Sequence, residues 1–152
     1  MKIPRGINQQ ACRIYRNFSW RFIGKTILLL TTTGRISGLP RTTPLQYEKM
    51  KGNYYLGSAN GENSDWVRNL LIDPRVKLRV GKAEFAGIAE VIRDREQLAD
   101  FLAYRLRRHP IMLPLIFKID GVSARPDRQE LLVYAEKLVL VVIHPAPPDK
   151  PA

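Results

Sequence analysis

Cysteine occurs once in this chain, as Cys12, so no intrachain disulfide can form and a reducing compartment is the simpler expectation. Histidine is almost as scarce: His109 and His144 stand apart from each other and from Cys12, which removes the spacings that hold a metal. Long apolar runs are missing too. ILLL, IMLPLIF and LVLVVI fall well short of the roughly 18 residues needed to cross a bilayer. MKIPRGINQQ has charge but no apolar segment behind it, so no secretory signal is expected. There is no Walker loop, no G-x-S-x-G and no G-x-G-x-x-G, and no internal repeat. Acidic residues are in short supply, 14 against 25 lysines and arginines.

That imbalance gives a formal charge of +11, which calls for an anionic partner: nucleic acid, a phosphorylated small molecule or an acidic membrane surface. The chain has 152 residues, 45% of them apolar and 26% charged, the composition of one soluble globular domain. We expect that domain to span 1–145, with HPAPPDKPA leaving a flexible proline-rich tail over 146–152. The expected location is the cytoplasm, with peripheral membrane contact as one way to use the charge.

The chain's periodicities define its elements. Cys12, Tyr15, Phe18 and Phe22 recur at helical spacing, predicting an amphipathic helix over Asn8–Ile23. Strands follow at Thr26–Thr33, Thr42–Met50 and Asn53–Ala59, the last two joined by the turn KMKGN. Ser64 can cap a helix that Asp65 favours at its positive end and that Pro74 stops. VKLRV and AEFAGIAEVI read as strands around a GK turn. Asp94 with Gln97 forms a capping box for the helix through LADFLAYRL, which Pro110 ends and His109 closes. IMLPLIFKIDGVSA is apolar but interrupted by Pro114, and its class stays open. RPDRQELLVYAEK is expected as a helix with Pro126 in its first turn, and LVLVVI as a buried closing strand. Some six strands, mostly linked as hairpins, with three or four helices, point to an α+β fold with an antiparallel barrel core.

Two stretches carry candidate chemistry. In LLLTTTGRISGLPRTTPLQY, Gly34 and Gly38 can take positive φ and aim backbone amides at one point. Arg35 and Arg41 offer forked donors, Ser37 adds a hydroxyl, and Thr42 and Thr43 extend the polar rim. A small anion fits this turn; the competing reading is a solvated basic loop. In GSANGENSDWVRN, Ser58, Asn60 and Gly61 can bring backbone close to a flat ligand beside a helix N-terminus. Trp66 and Asn69 share one helix face, and a core tryptophan with a loop-holding asparagine is the competing reading. A third feature is YRLRRHP, whose arginines suit a helix C-terminus, a phosphate tail or an acidic membrane surface.

The ordered set G-R-x-S-G-x-x-R, P-L, a strand ending in serine and glycine, W-x-x-N-L and D-P-x-V, from about Ile27 to Gly81, resembles the deazaflavin-dependent nitroreductase family. The resemblance implies a split β-barrel related to flavin-binding proteins and coenzyme F420 as hydride donor to a quinone, nitroaromatic or other electrophilic acceptor. It implies a cofactor site made by Arg35, Ser37, Gly38, Arg41 and Thr43, with Pro44 and Leu45 against the ring system. Ser58, Ala59, Asn60 and Gly61 would lie near the other edge, supported by Trp66 and Asn69. Ile36 stands where the family commonly has lysine, and the segment between Gly61 and Trp66 lacks the usual H-P or N-P pair. FMN or haem is the alternative ligand, and a non-catalytic basic module for nucleic acid or acidic membrane is the alternative class. The main reading expects a small-molecule electron acceptor, no specific nucleic acid, and a homodimer by analogy with other split barrels. No side chain is singled out as catalytic, because a cofactor would carry the reactive atom.

Overall fold

The computed structural model describes residues 27–58 and 60–147; the expected N-terminal helix and most of the tail lie outside them. Seven strands form one sheet: β1 (Ile27–Thr33), β2 (Pro40–Gln46), β3 (Glu48–Met50), β4 (Asn53–Ser58), β5 (Arg75–Val80), β6 (Ala83–Ile92) and β7 (Val139–Pro145). Four α-helices accompany them among the described residues: α1 (Asp65–Ile72), α2 (Arg95–Arg108), α3 (Met112–Ile119) and α4 (Arg128–Ala135).

The strand order is β2-β1-β5-β6-β7-β4-β3, and every neighbouring pair is antiparallel. β2 and β3 therefore occupy opposite edges of the sheet, yet Tyr47 alone separates them in the chain. One residue cannot bridge a flat sheet of seven strands spaced about 4.8 Å apart. The sheet curls until its two edges approach at Tyr47 without pairing, which is the split β-barrel. The single strand expected over Thr42–Met50 is in fact two, broken at Tyr47 where the chain changes edge. Side-chain alternation does not register such a change, because both halves remain extended.

β7 shows how the two cores are divided. Val139, Val141 and Ile143 face the barrel interior with Leu28, Leu30, Leu56 and Leu78, whereas Leu140 and Val142 face the helices. All five β7 residues are buried, as the continuous run LVLVVI requires of a strand covered on both faces. Each such side chain stabilises the fold by about 1.5–3 kcal/mol relative to exposure. Trp66, Val67 and Leu70 of α1 plug the barrel, and Leu98, Phe101, Leu113, Phe117 and Leu131 form the outer core.

Local chemistry sets the helix ends. Asp94 accepts from the Glu96 amide, and Gln97 donates to the Asp94 carboxylate at 3.2 Å instead of reaching back to its backbone. Asp127 accepts from the Glu130 amide at 2.8 Å and caps α4, so Pro126 precedes the cap and is not in the first turn. IMLPLIFKI resolves as α3, since Pro114 falls in its first turn, where no amide is needed. His109 ends α2 as expected, and its Nε2 also meets Glu48 at 2.5 Å. Glu48 is buried at the start of β3, with Arg105 and Arg108 at 3.6 and 3.7 Å. This cluster fastens α2 to the barrel seam. Burial lowers the Arg105 pKa, and the Glu48 carboxylate opposes that shift.

Candidate functional site

The β1–β2 hairpin closes on itself through two backbone bonds: the Gly34 amide donates to the Leu39 carbonyl, and the Gly38 amide to the Gly34 carbonyl, both at 2.8 Å. Gly38 has a φ of +70°. Gly34, contrary to expectation, is not left-handed. It is glycine because a Cβ there would lie 2.8 Å from Ser37 Oγ and 3.1 Å from the Leu39 carbonyl oxygen. Ser37 Oγ accepts from the Leu39 amide at 3.2 Å and from Arg41 Nη2 at 3.4 Å. The amides of Ile36 and Ser37 have no acceptor among the described residues, and exposed Arg41 has no carboxylate partner there. Two amides and a guanidinium form a donor-only set on a turn with positive charge, the chemistry that receives an oxyanion.

Arg35 has other partners. Its Nη1 donates to Asn69 Oδ1 at 3.0 Å, its backbone amide donates to the same oxygen at 3.2 Å, and its Nη2 pairs with Asp65 at 3.1 Å. Asn69 Nδ2 donates to Thr32 Oγ1 at 3.1 Å, so this buried amide is used on both sides. The two arginines are thus divided: Arg35 braces the hairpin against α1, and Arg41 carries its charge without a counter-ion among the described residues. Trp66, on the same helix, is buried in the barrel core.

β2 continues from the hairpin as an edge strand, which is why Pro40 and Pro44 fit in it. Thr43, Pro44 and Leu45 lie opposite Leu30, Leu29 and Leu28 of β1, half-buried along the wall. Thr31 and Thr42 join their hydroxyls at 2.8 Å across the same ladder.

The second stretch folds as a tight bend into the 3-10 turn Gly61–Asn63. Ser58 is buried and its hydroxyl donates to the Gly61 carbonyl at 2.9 Å while meeting Ser64 Oγ at 2.8 Å. Ser64 consequently makes no side-chain cap for α1, contrary to expectation. Gly61 has a φ of +55°, and a Cβ would stand 3.1 Å from the Lys137 carbonyl oxygen. Ala59 lies outside the described residues.

Asn60 is exposed and lines two cavities of about 600 and 810 Å³. Both also touch Lys137 and Leu138, and neither is lined by the β1–β2 hairpin. The smaller has Val122, Val133 and Leu138 as apolar wall and the pair Tyr134–Asp120 as polar wall, with the phenol donating to the carboxylate at 2.6 Å. Burial first, then the bond to Asp120, pushes the Tyr134 phenol up to about 12. The second cavity has Arg93 and Arg95 in its lining; Arg93 pairs with Glu62 and Arg95 with Glu136. Sequence reading missed this wall, because residues 120–138 are brought to Asn60 by the β4–β7 pairing alone. Among the described residues no group of three or more His, Cys, Asp or Glu could hold a metal ion.

A sequence model described as F420H(2)-dependent quinone reductase matches residues 8–110. Among solved structures, the heme storage protein HutZ from Vibrio cholerae is similar over 91% of this chain and 89% of its own, at 16% identity and a TM-score of 0.55. A conserved hypothetical protein from Mycobacterium tuberculosis matches 83% of this chain and 77% of its own, at 22% identity and a TM-score of 0.57. A protein described as an F420 reductase matches 80% and 87%, at 16% identity and a TM-score of 0.52. At these identities the structural likenesses establish the split-barrel fold.

Proposed function

The chain belongs to the F420H(2)-dependent quinone reductase family, and on that premise we propose that it reduces a quinone, nitroaromatic or similar electrophilic acceptor. Coenzyme F420 is the cofactor of this family, and when bound in reduced form it supplies a hydride.

The observation that carries this reading is the hairpin's donor set. Arg41 and the amides of Ile36 and Ser37 suit a phosphate oxyanion, and Gly34 keeps the turn tight enough to present them together. Arg35 and Asn69 hold that turn against α1. Thr43, Pro44 and Leu45 give a half-buried wall for a flat ring, because an edge strand leaves its outer side open. The Ser58–Gly61 bend, locked by the Ser58 hydroxyl, sets the position of Asn60. The cavity between Asn60 and Tyr134 has the mixed apolar and polar lining that an aromatic acceptor needs. No nucleophile is required of the chain. Its part is to bind, orient and exclude water.

Parallel titrations with F420 and FMN, followed by tryptophan fluorescence, test the cofactor. F420 should bind at least about tenfold more tightly than FMN, and Arg41→Ala should weaken it by roughly ten- to hundredfold, the loss of one charge-assisted contact. Consumption of reduced F420 with a naphthoquinone and with a nitroaromatic compound then ranks the acceptors. Failure to bind F420, together with salt-sensitive binding to DNA, would replace the enzyme by a basic binding module.

A further inference from the structure

Apart from Lys118, α3 is apolar on every side. Leu113 and Phe117 are buried in the outer core, while Ile111, Leu115 and Ile119 recur every fourth residue on the opposite side and are 84%, 59% and 76% exposed. A helix that is hydrophobic all round normally lies inside a protein or in lipid. Cations surround the exposed stripe. Arg107 and Arg108 close α2 just before it, and Lys118 sits one turn from Leu115. Arg107 and Lys118 make no ion pair among the described residues, and Arg108 reaches Glu48 only at 3.7 Å with its side chain 60% exposed. The acid nearest in sequence, Asp120, accepts the Tyr134 hydroxyl. No described helix is long and apolar enough to cross a membrane.

We propose that this face docks on a bilayer rich in acidic phospholipids, with Ile111, Leu115 and Ile119 entering the headgroup boundary and Arg107 and Lys118 meeting lipid phosphates. Charge decides between occupants: any apolar partner would cover the stripe, but an acidic lipid surface also neutralises the basic rim. The inference is independent of the cofactor, since no hairpin residue takes part in it.

The test is flotation of the full chain with vesicles of phosphatidylglycerol and phosphatidylcholine, against vesicles of phosphatidylcholine alone, at low and high salt. The wild type should partition onto the acidic vesicles and leave them as salt rises. Leu115→Ser with Ile119→Ser should cut the bound fraction about tenfold or more with Tm unchanged. Arg107→Gln with Lys118→Gln should weaken binding and flatten its salt dependence. If the double serine variant loses its fold, Ile119→Gln alone carries the comparison. Absence of wild-type partitioning, equal partitioning onto neutral vesicles, or wild-type behaviour of both double variants overturns the proposal. So does a dimer that the serine substitutions dissociate without any vesicle binding, which would assign the face to a second copy.

Discussion

Arg35 and Asn69 meet twice: the arginine's backbone amide and its guanidinium both donate to the same side-chain oxygen, at 3.2 and 3.0 Å. One asparagine on α1 thereby fixes both the path of the hairpin and the direction of its first cation. On the proposed reading the phosphate-facing role falls to Arg41, because Arg35 already holds Asn69 and Asp65.

Asn69→Ala should accordingly be costly. It leaves the Arg35 backbone amide without its acceptor and takes one partner each from the Arg35 guanidinium and buried Thr32, a loss of about 1–3 kcal/mol. Thermal unfolding should move down by several degrees, at the roughly 2–4 °C per kcal/mol usual for this chain length. F420 affinity should fall with it, because a loosened hairpin no longer presents Arg41. An unchanged Tm would show that the asparagine is not the brace.

Arg35→Ala and Arg41→Ala should separate the two roles. The first removes the tie to Asp65 and Asn69 and should lower both Tm and F420 affinity. The second should lower affinity alone, since the one described hydrogen-bond partner of its side chain is Ser37 Oγ at 3.4 Å. Differential scanning fluorimetry beside the cofactor titration reads both. A larger Tm loss from Arg41→Ala would reverse the assignment.

Gly61→Ala tests the second bend. Its φ of +55° disfavours any L side chain, and the new methyl would stand 3.1 Å from the Lys137 carbonyl oxygen. Left-handed strain alone costs about 1–2 kcal/mol, and the contact adds to it. Chemical denaturation should show a lower midpoint with an unchanged slope. An alanine that leaves the midpoint in place would mean the bend has room to relax.

Alkaline pH should act through Tyr134. Its folded pKa is raised to about 12 from 10.0, so the folded chain holds a proton that the unfolded chain gives up. The stabilisation is complete below pH 10 and is lost as pH rises through the folded value of about 12. Stability of the wild type should therefore fall more steeply across that window than stability of Tyr134→Phe. Asp120→Asn should bring the phenol part of the way back, leaving the share due to burial, and tyrosinate absorbance measures it directly.

Much of this was legible in the sequence because it depends on neighbours along the chain. The β1–β2 hairpin announces itself through Gly34, Gly38 and Pro40, and the competing reading of α1, a core tryptophan with a loop-holding asparagine, is the one that holds for Trp66 and Asn69. What stayed hidden depends on where distant segments meet. Ser64 reads as a cap, but Ser58 takes its hydroxyl. Arg35 reads as a forked donor for a bound anion, but α1 brings Asp65 within 3.1 Å of it. Glu48 sits in what looks like one long strand, and only the break at Tyr47 carries it to the seam beneath α2.

Glu48 is the position where that hidden contact should cost most. The carboxylate is buried, and Arg105, Arg108 and His109 all turn toward it. Arg105 is itself well covered, its side chain 18% exposed, so removing the carboxylate strands a desolvated guanidinium. Breaking a buried pair from one side costs roughly 3–5 kcal/mol. Glu48→Ala should thus destabilise the chain by about that amount. Glu48→Gln keeps an acceptor and should cost less. The double variant Glu48→Leu with Arg105→Met should recover much of the loss, because no charge is then left behind. A double variant as unstable as Glu48→Ala would mean that Arg108 and His109, not Arg105, are what the buried carboxylate serves.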